Sequence, residues 1–303
     1  MNLSDFLQRS CPNCGHKKVS GGVVSKPAAE TLSPEELRPF WSGFHDSKLF
    51  FSYCRCTACR LLYAPHFFHD EQLADLYSEL APNMEMVPSA SLEATQRGYF
   101  EAARKADVPG GGYLEIGPDV GYVAAQAAQD GRFDEFWLFE PNRVVHKSLA
   151  QAVMPFPARV FADMTDLSPV PDGSIGLAAM IHVLDHLLDP TAMLEQIHAK
   201  LRPGGVLMIV THNEASLLSK VLGPKWPPYC LQHPQLFSPA SITAMLEGVG
   251  YSSARVARST NYFPIDFLVK EAGRAIGVKL DRLPAPRASV GLKLGNMITL
   301  ARV

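Results

Sequence analysis

Tyr113–Tyr122 reads YLEIGPDVGY. An apolar run carrying one acid, Glu115, gives way to Gly117 and Gly121, and a small-residue stretch, VAAQAAQ, follows. The pattern predicts a strand, a tight turn and a helix. Glycines let the backbone of such a turn pass close to a ligand, with helix N-terminal amides facing it. In dinucleotide-binding folds a G-x-G-x-x-G turn lies against a pyrophosphate. Here the spacing is E-x-G-x-x-x-G, with Asp119 at the middle position. A carboxylate beside the loop would repel a phosphate and suits a cationic ligand. The alternative is a ligand-free Rossmann-like turn.

Outward from this turn, short apolar segments alternate with helical ones, the pattern of a parallel sheet with crossover helices and hence an α/β fold. The expected strands are GYLEIG, EFWLFEP, ARVFAD, IGLAAMIHV and GGVLMIVTH; the expected helices are YVAAQAAQDG, RVVHKSLAQAV and PTAMLEQIHAKL. Pro203-Gly204-Gly205 punctuates a helix end. A less regular segment rich in Pro, Trp and Tyr occupies about 213–238. A helix, SPASITAMLEGVG, a strand, SSARVARST, another helix and a closing strand, GNMITLARV, complete the chain. Upstream, residues 1–75 are rich in cysteine and aromatics with little periodicity, which suits a small domain held by something other than a core. Residues 76–105 read as a helical connector or cap, and 106–303 as the main domain.

With 47% hydrophobic residues in 303, the chain can bury a full core. Lys and Arg total 28 against 30 acids, for a net charge of −2, so no nucleic-acid partner is expected. Apolar runs such as GVLMIV are too short to span a bilayer. The start MNLSDFLQRS lacks an apolar signal core. The expectation is a cytoplasmic, reducing location without membrane attachment. There, clustered cysteines favour metal over disulfides. Cys11 and Cys14 form one CxxC pair, Cys56 and Cys59 a second, and two such knuckles can present four thiolates to one Zn2+. Cys54 and His16 are spare candidates, and unmetallated packing of small hydrophobes is the plain alternative.

The Glu115 loop resembles the first motif of class I S-adenosylmethionine (SAM)-dependent methyltransferases, and the resemblance runs in order along 105–303. WLFEPN looks like the second strand of that family, FADMTDL like its adenine-binding segment, and PDGSIGLAAMIHVLDHLLDP with LRPGGVLMIVTHN like its fourth and fifth strands. The resemblance implies a seven-stranded Rossmann-like sheet, mostly parallel with the last strand antiparallel, and SAM as cofactor. It assigns Glu115, Gly117 and Gly121 to the cofactor loop and Glu140 with Pro141 to the ribose. Asp163 falls to the adenine amine, Met164 to the ring, and His182 beside the cofactor. Asp119 departs from the middle glycine of the motif.

CTACRLLYAP is similar to a knuckle of zinc-bearing bacterial methyltransferases, with Arg60 in place of a glycine. This implies a small N-terminal zinc-ribbon-like domain with a structural Zn2+, packed on the core and placing Tyr63 or Tyr77 near substrate. CLQHPQLFS is similar to the segment of sugar C-methyltransferases that carries a histidine base. His233 takes that position, while Cys230 and Gln232 replace a tyrosine and a glutamate.

Methyl transfer needs alignment, exclusion of water and a base where the acceptor holds a proton. Histidine suits that task near neutral pH, and His233, His182 and His212 are the candidates. His186 matches a histidine that is often structural. Trp226 and Tyr229 are expected to wall the pocket and Glu214 to be solvated. The expected activity is methylation of a carbon or oxygen nucleophile on a small molecule, such as a sugar nucleotide or a natural-product intermediate. Two other classes are an RNA methyltransferase gripping its substrate with the zinc module and a non-catalytic cofactor-binding relative. Residues 1–75 lack a basic run, and no Asn/Asp-Pro-Pro-Tyr/Phe motif follows the fourth strand, which counts against the first.

Overall fold

A computed structural model describes residues 5–41, 49–78, 87–276, 286 and 288–303. The N-terminal region supplies strands β1 (Val19–Val23), β2 (Tyr53–Cys56) and β3 (Leu62–Tyr63). Helices α1 (Asp70–Ser78) and α2 (Ser89–Arg104) follow. Part of the expected 76–105 connector, residues 79–86, lies outside the described residues.

Strands and helices then alternate as the apolar pattern requires. They are β4 (Gly111–Ile116), α3 (Tyr122–Asp130), β5 (Phe133–Phe139), α4 (His146–Ala152), β6 (Ala158–Phe161), β7 (Ile175–Ile181), α5 (Pro190–Lys200) and β8 (Leu201–His212). After the two-residue strand β9 (Gln235–Leu236) come α6 (Pro239–Val249), β10 (Ser253–Arg258) and β11 (Asn296–Arg302).

The seven-stranded sheet has the order β10-β11-β8-β7-β4-β5-β6. β11 runs antiparallel to both β8 and β10, and the other pairs are parallel. This is the expected α/β architecture. The chain winds outward from β4 to β6 and then returns to place β7 on the other side of β4. Their carboxyl ends therefore diverge, and such a switch point is where open α/β sheets leave a crevice.

Side chains alternate along β4. Leu114 and Ile116 join one core with Phe139, Met180, Ile209 and residues of α5 and α6. Tyr113 faces the other core with Phe136, Leu138, Ala124 and Leu149. Glu115 shares the Tyr113 side and is 1% exposed. Its carboxylate accepts the Tyr113 hydroxyl at 2.8 Å and a backbone bond from Ala124 at the start of α3. Burial pushes its carboxyl up to about 8, the Tyr113 and Ala124 bonds pull partly back, and the nearby Glu140 charge adds to the rise.

The N-terminal region departs from expectation. Phe6, Trp41, Phe50, Phe51, Phe67 and Phe68 form an aromatic core, and Trp226, Tyr229 and Leu231 join it from the segment after β8. Phe6 and Phe51 meet edge-on at 5.0 Å, and Phe50 stacks on Tyr229 at 5.4 Å. Aromatics scattered over 1–75 lack periodicity because they pack across loops and onto a distant segment. That segment is also more ordered than expected. It holds a short helix, Leu217–Leu222, and β9 extends the N-terminal sheet by pairing with β3. Glu214, expected to be solvated, instead receives both Nη atoms of Arg55 at 2.9 and 3.0 Å, with its side chain only 8% exposed. Among the described residues no helix is long and apolar enough to cross a membrane.

The buried acid leads to a pH-dependent prediction. A folded value of about 8 against about 4.3 in the unfolded chain means that the fold holds more protons between these limits. Stability contributed by this position therefore falls as pH rises through that window, by up to about 1.4 kcal/mol per unit. Glu115→Gln should gain stability relative to the parent between pH 5 and 8, measured by urea unfolding at each pH. Parallel curves for the two proteins would mean that Glu115 is ionised in the fold.

Candidate active site

The loop after β4 is closed by backbone bonds and by one carboxylate. Gly117 N–H donates to Phe139 at 2.8 Å, at the carboxyl end of the neighbouring strand. Glu140, the next residue and 7% exposed, accepts the Asp119 amide at 2.9 Å on Oε2 and the Asn142 amide at 2.8 Å on Oε1. Gly117, Asp119 and Gly121 all have left-handed φ, of 66°, 51° and 81°.

Packing adds to the demand that φ makes at these glycines. A Cβ on Gly117 would lie 2.7 Å from Val183 Cγ2, and one on Gly121 would lie 2.7 Å from Leu149 Cδ2. Asp119 tolerates the left-handed conformation in which most L-residues are strained. Three acids thus gather at this end of the sheet. Glu140 and Asp119 are both pushed upward, first by burial, and the Asp119 charge adds to the rise at Glu140. Their chemistry fits a cationic group with hydroxyls to donate, not a phosphate.

Pro141 follows at the surface. Further along, Asp163 lines an open cleft of about 330 Å³ with Arg143, His146, Phe161 and Asp166. One oxygen of Asp163 accepts both the amide and the hydroxyl of Thr165. Met164 is half-buried against the core beneath.

Val183, which covers Gly117, is also the neighbour of His182, so the loop adjoins a second group of side chains. His182, His186, His212 and His233 converge here. Ring centroids are 4.7 Å apart for His182 and His212, 5.0 Å for His212 and His233, and 4.5 Å for His186 and His233. The carbonyl of Pro228 accepts from His233 Nδ1 at 2.7 Å, which fixes a proton on that nitrogen. His233 Nε2 lies 3.2 Å from His186 Nε2, and Tyr77 Oη lies 3.0 Å from His186 Nδ1. Asn296 on β11 sits opposite His212 in register, its Oδ1 3.0 Å from His212 Nδ1 and its Nδ2 3.3 Å from His182 Nε2. Beneath them Asp185 is fully buried.

Burial holds His182 and His212 below the ordinary histidine value and, with the His233 charge, takes His186 down to about 3. Burial acts on His233 in the same sense, but Cys230, Asp185 and the Pro228 carbonyl outweigh it and raise His233 to about 9. Burial alone would raise Asp185, yet the surrounding histidines hold it well below the usual carboxylate range.

The three histidines expected to act are therefore together, with His186 among them. Sequence reasoning passed over Asp185, although HVLDH spaces it three residues after His182 and next to His186. It had no signal for Asn296, which only the pairing of β8 with β11 brings close. Of the two tyrosines placed near substrate, Tyr77 reaches the cluster. Tyr63 is 1% exposed in the core beside Cys54 and the two knuckles. Trp226 and Tyr229 are buried, with Trp226 6.2 Å from the His212 ring.

The cysteines form a separate centre. The sulfurs of Cys11, Cys14, Cys56 and Cys59 all lie within 4.8 Å of one another, with 3.4 Å between Cys11 and Cys59 and 3.6 Å between Cys14 and Cys56. Four thiolates about 2.3 Å from one Zn2+ stand roughly 3.8 Å apart, so the cluster fits that ion. Backbone amides of Asn13 and Cys14 bond to the Cys11 sulfur, and those of Ala58 and Cys59 to the Cys56 sulfur. Both knuckles turn alike. Gly15 N–H bonds to Cys11 O and Arg60 N–H to Cys56 O, with φ of 67° and 64°. Arg60 thus takes the left-handed conformation for which glycine is usual. His16 pairs with Thr57 and Cys54 with Tyr63, both outside this group.

Residues 70–255, more than half of the chain, match the protein family described as a methyltransferase domain. No curated protein matches the chain. Among solved structures it is similar to a SAM-dependent methyltransferase from Aquifex aeolicus, at 12% identity, covering 74% of this chain and 98% of that one, TM-score 0.49. It is also similar to one from Archaeoglobus fulgidus, at 15% identity, covering 70% and 94%, TM-score 0.47. A third similar structure is a complex between the Haloferax volcanii Trm112 methyltransferase activator and a methyltransferase, at 15% identity, covering 70% and 93%, TM-score 0.49. The domain match, set on the sheet order and the acid-lined turn, carries the assignment: the chain belongs to the methyltransferase domain family and is a SAM-dependent methyltransferase.

Proposed function

We propose that the enzyme methylates a carbon or oxygen nucleophile of a small molecule, with His233 as the base and a structural Zn2+ in the N-terminal region. The observation that carries this reading is the contact of Val183 with Gly117, which sets the histidine cluster directly beside the acid-lined loop. When bound, SAM supplies a methyl group on a sulfonium centre. Glu140 keeps lone pairs beyond its two backbone bonds and would accept ribose hydroxyls. Asp163 and Met164 would meet the adenine along the cleft beside β6. Asp119 and Glu140 contribute negative charge, and Glu115 fixes the start of α3 against β4.

On the acceptor side, the Pro228 carbonyl keeps His233 Nδ1 protonated, so Nε2 is the nitrogen that exchanges its proton. With the ring raised to about 9, His233 takes the acceptor's proton only from its neutral form, and turnover should climb as pH rises toward that value. His186 lies next to it, and Tyr77, 38% exposed, stands at the outer end of the chain of contacts. A proton taken at His233 thus has a hydrogen-bonded route outward. Cys230 touches His233 Nδ1 at 3.3 Å and Tyr53 Oη donates to the His233 carbonyl at 2.6 Å, which fixes the ring and its backbone. The Cys11–Cys14 knuckle is tied to α5 by Thr191 Oγ1 donating to Pro12 O at 2.9 Å. A Zn2+ held there would stiffen the sheet that carries β9 and hence His233. The balanced charge of the chain favours a small acceptor over RNA.

Calorimetric titration with SAM and S-adenosylhomocysteine tests the reading. The parent protein should bind both in the micromolar range, and Glu140→Ala should bind them more weakly. His233→Ala should keep the affinity and lose turnover by roughly 10²–10⁴-fold once an acceptor is found. Unchanged turnover would remove His233 as base, and absent binding by folded protein would overturn the cofactor site. For the metal, a mercurial thiol reagent should release about one Zn2+ per chain, as a four-thiolate centre requires. No release would leave the cysteines as packed thiols.

A further inference from the structure

His182, Asp185 and His212 lie beside the His233–His186–Tyr77 line, and their functional atoms lie within 4.8 Å of one another. His212 Nε2 is 3.9 Å from Asp185 Oδ2, too far for a hydrogen bond. Among the described residues, the Oδ1 of Asp185 and the Nδ1 of His182 are both buried without a hydrogen-bond partner. Polar atoms buried in this state are costly, and a bound water or ion is one of the groups that satisfies them. Asn296 sharpens the point. Its Oδ1 accepts the Nδ1 proton of His212, which leaves the Nε2 lone pair facing a carboxylate. Two electron-rich groups facing each other across that gap call for a cation. Ligands about 2.1 Å from a shared ion stand roughly 3–4 Å apart, as His212 and Asp185 do.

We propose that His182 Nδ1, Asp185 and His212 Nε2 bind a borderline divalent metal ion such as Fe2+, Co2+, Ni2+ or Zn2+, distinct from the four-cysteine centre. Imidazole and carboxylate donors on one face suit these ions and leave further coordination positions open. His182 holds a left-handed φ of 53°, a conformation costly for a non-glycine residue. It is so placed that its ring turns into the space above Asp185. Asn296 is the positioning residue behind both rings, as outer ligands are in metal centres. With Asn296 Nδ2 facing His182 Nε2, the His182 proton sits on Nδ1, so ligation requires the proton on Nε2 and the Asn296 amide turned to present its oxygen there. The open positions sit at the carboxyl ends of β7 and β8. There the ion would hold a hydroxyl or enol oxygen of the acceptor and lower its proton affinity. Metal binding itself does not depend on His233 being the base.

The test is a Co2+ titration of the full-length chain with its thiol centre already loaded with Zn2+. The expected result is one further equivalent giving weak visible d–d bands without thiolate charge transfer. His212→Ala and Asp185→Asn should abolish it, with far-ultraviolet circular dichroism as the control for folding. Asn296→Leu should weaken binding by roughly 10–100-fold, the usual cost of an outer-shell partner. Asn296→Asp, which can accept from both rings, should tighten it. A parent protein that takes up no cobalt in this spectral class overturns the proposal and leaves a water or an acceptor hydroxyl as the bridging group. Uptake that persists in folded His212→Ala and Asp185→Asn overturns it equally. Should either variant fail to fold, the parent stoichiometry and the Asn296 pair decide. Binding of S-adenosylhomocysteine is measured separately, so loss of the metal site and loss of the cofactor site are told apart.

Discussion

Two residues, Gln235 and Leu236, tie the molecule together. As β9 they pair with Tyr63 and Leu62, joining the segment after β8 to the sheet that carries the second cysteine knuckle. The Gln235 side chain is fully buried, and its amide donates to Leu184 at 3.1 Å and Leu187 at 2.7 Å, on either side of Asp185 and His186. Its oxygen accepts from Arg9 Nη2, and Arg9 also donates to the carbonyls of Leu188 and Pro234. A buried carboxamide satisfied on both ends fixes three chain segments at once, because leaving any of those groups unpaired would cost about 1–3 kcal/mol. His233 stands two residues before this latch and the other histidines on the strands and loop beside it, so their mutual distances are inherited from it.

The second organising feature is the concentration of buried ionisable groups at the carboxyl ends of β4, β5, β7 and β8. Glu115 and Glu140 sit on one side, and Asp185 under four imidazoles on the other. Buried charge persists only where partners or a bound group offset the loss of water. Within the fold, Glu140 is met by two amides and Glu115 by a hydroxyl and an amide. Among the described residues, Asp185 has a weak bond from the His212 amide at 3.4 Å. The acid-lined loop therefore matches a cationic sulfonium cofactor, and Asp185, whose Oδ1 has no hydrogen-bond partner among the described residues, marks where the proposed metal ion would sit.

Much of this was legible before folding. Strand and helix alternation from Gly112 onward gave the seven-stranded α/β sheet, since parallel strands covered on both faces read as continuous apolar runs. CxxC spacing brought the right four cysteines together, because a knuckle is a local turn. Glu214 and the aromatic residues of the N-terminal region were misread for the opposite reason. Their partners, Arg55 and the 226–231 segment, are remote in sequence, and no period reports on a contact between loops.

The sequence by itself determined the order of the strands' chemistry: which strand ends carry acids and which carry histidines. Those properties are local, set by residue type and spacing of a few positions. Only the tertiary structure decided which of these groups meet. Register between β8 and β11 set Asn296 beside His212, the return crossover laid Val183 over Gly117, and β9 drew His233 in from a segment without periodicity. Each depends on long-range strand pairing, whose energy lies in contacts between distant residues and so leaves no mark in a sequence window.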